Sequence, residues 1–170
     1  MRDERFQELL KAVENEPELK GLSLHLGAEV KFTPYITNSD VKKLAIEGTN
    51  CILLELPLID PFYLDETVDY LMKNNLVPIF AHIERCSYLR SSKKLKFYKN
   101  KGVIMQSNTS VLLRGELKRF AIKMIKKGYI DVLASDTHNV KARPPAWDDA
   151  YSLLNDTLKE KITRNSLELF

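Results

Sequence analysis

Cysteine and histidine are both scarce in this chain. Its 170 residues include two cysteines, Cys51 and Cys86, and three histidines, His25, His82 and His138. Neither cysteine lies in a Cys-x-x-Cys arrangement, so the sequence predicts neither a disulfide framework nor a zinc knuckle. We therefore expect both thiols to be free and buried in a reducing cytoplasm.

Long apolar runs and a strong net charge are also lacking. No run approaches the roughly 18 apolar residues of a membrane span. Residues 1–5 lead into a charged amphipathic segment and not into the apolar core of a signal peptide. The formal net charge of +3 is too small to argue for a nucleic-acid partner. We expect one cytoplasmic globular domain with no membrane insertion and no nucleic-acid partner.

Short apolar segments alternate with amphipathic segments along the chain. Strands are predicted over 22–32, 51–56, 77–81, 103–106 and 130–134. Helices are predicted over 6–14, 39–47 with Ser39 as N-cap, 64–74, 93–101, 116–127 and 145–161. This alternation is typical of repeated βα units on a parallel sheet. The residues alone predict an α/β fold that is either a doubly wound sheet or part of a barrel.

Polar side chains that suit metal chemistry follow these strands. Asp136 and His138 come directly after the strand at 130–134, and Glu29 and His82 lie at the ends of two others. Carboxylate and imidazole groups together suit a divalent metal of the Mn, Fe or Zn kind. Because the carboxyl ends of parallel strands share one edge, the four side chains are expected to converge. Glu55, inside a strand, is expected at most to support a ligand.

Two arginines follow the same strand ends. Arg85 comes three residues after His82, and Arg143 comes five residues after His138. A guanidinium group binds phosphate through two parallel hydrogen bonds, and metal plus arginine is what phosphate-ester hydrolysis needs. The alternative is that Arg143 caps a turn before Pro144 and that Arg85 faces solvent.

The motifs occur in an order that matches a known family. They are Leu26-Gly27-Ala28-Glu29, Leu54-Glu55-Leu56-Pro57, Ala81-His82-Ile83-Glu84-Arg85, Gln106-Ser107-Asn108-Thr109-Ser110, Ala134-Ser135-Asp136-Thr137-His138-Asn139 and Arg143-Pro144-Pro145. The chain resembles the polymerase-and-histidinol-phosphatase (PHP) superfamily. Within that superfamily it is most similar to the manganese-dependent protein-tyrosine phosphatases of bacterial capsular and exopolysaccharide loci.

The resemblance implies a fold, a reaction and a set of site residues. The implied fold is a distorted (β/α)7 barrel with metal ions at the carboxyl ends of its strands, and the implied cofactor is Mn²⁺. The implied substrate is phosphotyrosine on the tail of a tyrosine autokinase that controls polysaccharide synthesis, hydrolysed without a cysteine intermediate. Residues that match family metal ligands are Glu29, His82, Asp136 and His138. Residues that match the phosphate-binding arginines of the catalytic site are Arg85 and Arg143.

One departure from the family pattern concerns the start of the chain. Family members open with a strand carrying Asp-x-His-x-His, followed by a strand ending in Pro-His-His, and neither motif precedes Phe6. We therefore expect residues 1–170 to form a single PHP-type domain that lacks the first βα units, with a barrel incomplete at its N-terminus. The opening helix, a second copy of the chain or aggregation is expected to cover the open edge, and an N-terminal partner fragment would supply the missing ligands. Two alternatives stay open: a catalytically inactive regulatory or binding module of the same system, and another PHP-type phosphoesterase.

Overall fold

A single parallel sheet carries the fold. The computed structural model describes residues 2–36 and 40–169, and within them five strands form one sheet. The strands are β1 (Glu29–Lys31), β2 (Cys51–Glu55), β3 (Val77–Phe80), β4 (Ile104–Asn108) and β5 (Val132–Ala134). Every neighbouring pair is parallel, so the predicted α/β class is confirmed.

The strand order bears on the choice between a doubly wound sheet and a barrel. The order is β1-β2-β3-β4-β5, so the chain advances across the sheet in one direction. A doubly wound sheet reverses its order at a switch point, whereas a barrel does not. The described strands show no such reversal. Within the described residues β1 and β5 are the two edges, and the sheet stays open.

Helices connect the strands and cover the sheet. They are α1 (Arg2–Glu14), α2 (Leu64–Lys73), α3 (Ser92–Asn100), α4 (Gly115–Lys126), α5 (Trp147–Ser152) and α6 (Asp156–Leu167). The side chain of Ser91 accepts a hydrogen bond from Lys94 N and so begins α3. Gly102 and Gly128 follow α3 and α4 with φ of 90° and 73°, a left-handed conformation that ends a helix at little cost for glycine. The ends of α3 and α4 therefore agree with the predicted ends of the helices over 93–101 and 116–127.

The hydrophobic core lies between the sheet and the connecting helices. Leu54, Phe80 and Met105 of the central strands are fully buried, together with Leu71 of α2 and Ile125 of α4. Burial of each such side chain contributes about 1.5–3 kcal/mol. By contrast, none of the described side chains of α1 is buried. The polar residues at the strand ends therefore rest on a buried sheet and not on the opening helix.

Two predicted elements near the start of the sheet are wrong in extent. Of the strand predicted over 22–32, only Glu29–Lys31 is a strand, and the residues before it are irregular. Of the helix predicted over 39–47, Val41–Leu44 forms a single short turn, and Ser39 lies outside the described residues. The amide of Ile46 donates to Cys51 O at 2.8 Å. Backbone groups here bond to neighbouring segments, which stops both a longer strand and a longer helix.

The helix predicted over 145–161 is also wrong. It is two helices, α5 and α6, and it begins at Trp147. The break lies before Asn155, whose side chain accepts a hydrogen bond from Leu158 N at 3.0 Å. Asparagine competes with helical backbone bonding and is a strong N-cap, so a new helix begins there. No helix in the described part of the chain combines the length and the apolar character needed to cross a membrane.

Candidate functional site

Two carboxylates and an imidazole meet at one edge of the sheet. Glu29 begins the three-residue β1, Glu55 ends β2, and His82 is the second residue after β3. The Nε2 atom of His82 lies 2.8 Å from an oxygen of Glu29 and 3.8 Å from an oxygen of Glu55. One ligand atom from each residue lies within 4.8 Å of the other two. We call Glu29, Glu55 and His82 the acidic cluster.

His82 is held in place by the strand beside it. Its side chain is 4% exposed, and its backbone N–H donates to the side-chain oxygen of Gln106. Its φ is 33°, a left-handed conformation that costs a non-glycine residue on the order of 1–3 kcal/mol. Such strain persists where the surrounding structure imposes it, and it is concentrated at functional sites. The imidazole is therefore preorganised to face the two carboxylates.

The acidic cluster fits a divalent metal. Two carboxylate oxygens and one imidazole nitrogen form a donor set that suits Mn, Fe or Zn. Glu29 and Glu55 carry like charges at close range, which is unfavourable unless a cation lies between them. The second ring nitrogen of His82, Nδ1, is buried and has no hydrogen-bond partner within the described residues. Nε2 is therefore the ring nitrogen that faces the carboxylates.

A second cluster surrounds the carboxylate of Asp136, the second residue after β5. Its Oδ2 accepts hydrogen bonds from Arg85 Nη2 at 2.8 Å, from Asn108 Nδ2 at 2.9 Å and from Arg143 Nη2. The Asp136 side chain is 11% exposed, and its φ of 51° is left-handed, as at His82. We call Asp136, Arg85, Arg143 and His138 the basic cluster.

His138 completes the basic cluster by contacting Arg143. Arg143 Nη1 donates to His138 Nε2 at 3.0 Å. The proton of the neutral ring is then on Nδ1, which donates to the carbonyl oxygen of Asp136 at 2.9 Å. The side-chain oxygen of Asn139 accepts from Lys141 N at 3.0 Å and closes the intervening loop. This loop places Arg143 beside Asp136, which is seven residues earlier in the chain.

Two residues of the acidic cluster and one residue of the basic cluster line the same cavity. A cavity of about 480 Å³ is lined by Glu55 and His82 of the acidic cluster and by Arg85 of the basic cluster. Beneath it, Gln106 Nε2 donates to Asn108 Oδ1 at 3.0 Å, and Asn108 donates to Asp136. These β4 side chains therefore join the backbone of His82 to the basic cluster by a continuous chain of hydrogen bonds.

The charges of the two clusters have opposite sign. The acidic cluster holds two carboxylates, a formal charge of −2 when His82 is neutral. The basic cluster holds two guanidinium groups and one carboxylate, so its charge is 2 − 1 = +1 when His138 is neutral. One side of the site suits a cation, and the other suits an anion. A phosphate group bound next to a divalent metal ion would complement these two charges.

The structure brings the predicted residues together in two groups. Glu29 and His82 lie in the acidic cluster, as expected for shared metal ligands. Asp136 and His138 are instead bonded to arginine, so their role as metal ligands stays a prediction. Arg85 bonds to Asp136, so it does not simply face solvent. That both arginines bind phosphate likewise stays a prediction.

Glu55 is the residue that sequence reasoning undervalued. It lies opposite Lys31 in the β1–β2 register, where Glu29 is opposite Leu53. Side chains two residues apart on a strand share a face, so this register sets Glu55 on the face that carries Glu29. The sequence shows an acid at the end of a buried strand, but it does not show which residue of β1 lies opposite that acid.

Thiol chemistry has no place at this site. Cys51 and Cys86 are both buried and free, as predicted. Burial raises the pKa of each thiol above its ordinary value, because the thiolate would lose its hydration. A raised pKa lowers the fraction of nucleophilic thiolate at neutral pH. The candidate chemistry therefore lies with the two clusters.

Comparison with known proteins identifies the family. The family model described as "Capsular polysaccharide synthesis, CpsB/CapC" matches residues 1–168. This chain belongs to the CpsB/CapC family. CapC of Staphylococcus aureus is 30% identical over 151 aligned positions, which cover 83% of this chain and 59% of that protein. The tyrosine-protein phosphatase YwqE of Bacillus subtilis is 30% identical over 132 positions, which cover 72% of this chain and 52% of that protein.

A solved structure agrees with the sequence comparison. The chain is similar to a chain from the crystal structures of YwqE from Bacillus subtilis and CpsB from Streptococcus pneumoniae, described as metal-dependent tyrosine phosphatases. The TM-score is 0.82 at 25% sequence identity, and the match covers 99% of this chain and 70% of that one. The chain thus spans between about half and seven-tenths of the length of these relatives.

Proposed function

We propose that this chain is a metal-dependent protein-tyrosine phosphatase of capsular or exopolysaccharide synthesis. The observation that carries the proposal is a single cavity lined by Glu55 and His82 of the acidic cluster and by Arg85 of the basic cluster. Membership of the CpsB/CapC family and the phosphatase activity of its named relatives support the same reaction. The proposed substrate is phosphotyrosine on the tail of a tyrosine autokinase, in the cytoplasm.

The acidic cluster would hold the metal. Glu29, Glu55 and His82 supply three donor atoms, and we infer Mn²⁺ because carboxylate and imidazole ligands suit it. A bound divalent metal supplies hydroxide at neutral pH and offsets negative charge on the transferring phosphoryl group. The task of the protein is to fix these donors in place. His82 meets that requirement because its ring is buried and its backbone is bonded to Gln106.

The basic cluster would bind the phosphate. Arg85 and Arg143 present guanidinium N–H groups, and each guanidinium can donate to two phosphate oxygens. Asp136 holds both guanidinium groups at one point. In the proposed reaction, water oxygen bonds to phosphorus while the bond from phosphorus to the tyrosyl oxygen breaks. The tyrosyl oxygen takes up a proton, and tyrosine and inorganic phosphate are released.

Asp136 and His138 are retained as proposed ligands of additional metal. Their present partners are Arg85 and Arg143, so metal binding there requires the guanidinium groups to turn toward the substrate. We also infer that the sheet is an arc of a distorted (β/α)7 barrel, since its strands follow one another in chain order. Residues 1–170 would then form a single PHP-type domain.

The test is phosphate release from a phosphotyrosyl peptide by the purified chain. Activity is expected with Mn²⁺ and should be lost after EDTA treatment. Arg143→Lys should lower kcat/KM by about 10²–10³, the effect of removing one aligned donor to transition-state charge. Glu55→Gln should weaken the metal dependence.

Glu160→Gln serves as the control because Glu160 is an exposed carboxylate on α6 and belongs to neither cluster. It should leave activity unchanged. Turnover that persists in EDTA, or that is insensitive to both site substitutions, would contradict the proposal. Binding of the peptide without turnover in the presence of metal would indicate a binding module instead.

A further inference from the structure

The cavity lined by Glu55, His82 and Arg85 has an apolar wall that the phosphate chemistry does not use. Besides the charged or polar residues Lys31, Glu55, His82 and Arg85, it is lined by Phe32, Leu56, Pro57 and Leu58. We propose that this wall binds the phenyl ring of the phosphotyrosyl group and that Leu58 is a specificity-determining residue. The proposal rests on the proposed function, because it places the phosphate of the same substrate at the adjacent clusters.

The wall is firmly attached to the rest of the fold. The carbonyl oxygen of Pro57 accepts a hydrogen bond from the Tyr88 hydroxyl at 2.9 Å and a weaker one from Cys86 Sγ at 3.7 Å. Phe32 is 5% exposed and stacks on Tyr63 with ring centroids 5.3 Å apart. A surface already ordered before the ligand arrives loses little entropy on binding. The wall therefore suits a rigid planar ring.

Leu58 lies at the open rim of this wall. Its side chain is 69% exposed, whereas its neighbour on the wall, Leu56, is 4% exposed and belongs to the core. An exposed leucine beside a charged cavity gains free energy when an apolar ligand group covers it. It contributes little to folding, so its substitution tests ligand binding without unfolding the protein.

The wall distinguishes aryl phosphates from alkyl phosphates. Both carry the same phosphate group, and the metal and arginine side of the cavity treats them alike. A phenyl ring is large and apolar, and in this cavity it would lie against Leu58 and Phe32. A short alkyl group has less apolar surface to place against the wall and gains less free energy from it. The preference for phosphotyrosine over phosphoserine would then come from Leu58 and its neighbours and not from the phosphate site.

Two stable phosphate analogues, phenylphosphonate and methylphosphonate, test the proposal by calorimetry in the presence of Mn²⁺. The natural chain should bind phenylphosphonate about tenfold more tightly than methylphosphonate, as expected for partial burial of one leucine and a ring. Leu58→Ala should remove most of this preference by weakening the phenyl ligand alone. Ile59→Ala is the matched control, since Ile59 is the adjacent residue, is 83% exposed and does not line the cavity.

The same samples are assayed for phosphate release from phenyl phosphate. The proposed phosphatase activity and the proposed role of the apolar wall can therefore be contradicted independently. Phosphate release without a phenyl preference, or an equal loss for both ligands in Leu58→Ala, would overturn the assignment of the wall and leave the phosphatase in place. A phenyl preference that Leu58→Ala removes, without phosphate release, would support the wall and overturn the phosphatase. If neither analogue binds, both proposals are wrong.

Discussion

Replacing Glu55 with glutamine should have opposite effects on the metal-free and metal-bound protein. In the metal-free protein, carboxylate oxygens of Glu29 and Glu55 lie within 4.8 Å of each other. The two side chains are 35% and 42% exposed, so their repulsion is screened by water. At that separation and in a water-like dielectric the repulsion is roughly 1 kcal/mol. Glu55→Gln removes it and keeps the shape of the side chain.

The expected changes in melting temperature follow from these magnitudes. In EDTA at pH 8, Glu55→Gln should raise Tm by about 2–4 °C, the shift that 1 kcal/mol produces in a domain of this size. In the natural chain, Mn²⁺ at a hundredfold excess over its Kd should stabilise the fold by about 2.7 kcal/mol. That corresponds to a rise of about 5–10 °C. Because Glu55→Gln lacks one of three ligand groups, its rise should be less than half as large.

Thermal melts of three proteins, each with EDTA and with Mn²⁺, provide the measurement. Glu160→Gln on α6 removes an equivalent exposed charge outside the acidic cluster and should behave like the natural chain. A Glu55→Gln protein that is less stable in EDTA and keeps the full metal-induced rise would refute the assignment of the acidic cluster as a metal site.

Two further predictions concern groups outside the acidic cluster. Cys51 and Cys86 should resist iodoacetamide at pH 8 in the native protein and react in guanidinium chloride, since burial raises the pKa of both thiols. Mass spectrometry measures the labelling. Loss of activity on labelling of the native protein would contradict a mechanism without cysteine. Burial, and next the hydrogen bond to Asp65, raise the pKa of Tyr98 in the folded state. The contribution of the Tyr98 hydroxyl to the free energy of unfolding is therefore complete below the ordinary tyrosine pKa of about 10. This contribution is lost as pH rises above that value, because only the phenol of the unfolded chain ionises readily. Urea unfolding from pH 8 to 11 should show a shallower alkaline loss of stability for Tyr98→Phe, and an identical slope would contradict it.

The amino-acid sequence by itself determined most of the secondary structure and several positions of the site. Apolar runs bounded by glycine or polar residues predicted β2, β3 and β5, and Gly102 and Gly128 marked the ends of α3 and α4, because only glycine adopts those angles at little cost. Histidine and aspartate directly after buried strands were recognisable as site residues. Local chemistry was sufficient for each of these predictions.

Other features depended on competition between segments that the sequence does not display. The helix predicted over 145–161 divides because Asn155 caps a new helix, although the apolar spacing continues through the break. The predicted strand at 22–32 shortens to Glu29–Lys31, and the backbone of Leu26 bonds to Glu47 in a turn instead of to a strand. Such choices are made by tertiary contacts.

The composition of each cluster was decided only by the tertiary structure. Glu55 joins Glu29 because the β1–β2 register places the two acids on one face, and a slip of one residue would point Glu55 to the other side. Asp136 meets Arg85 across 51 residues of chain, through strand pairing that also brings Asn108 beneath it. The sequence determined which groups stand at the strand ends. Register and loop closure decided which of them pair, because pairing depends on distances of a few ångströms between residues far apart in the chain.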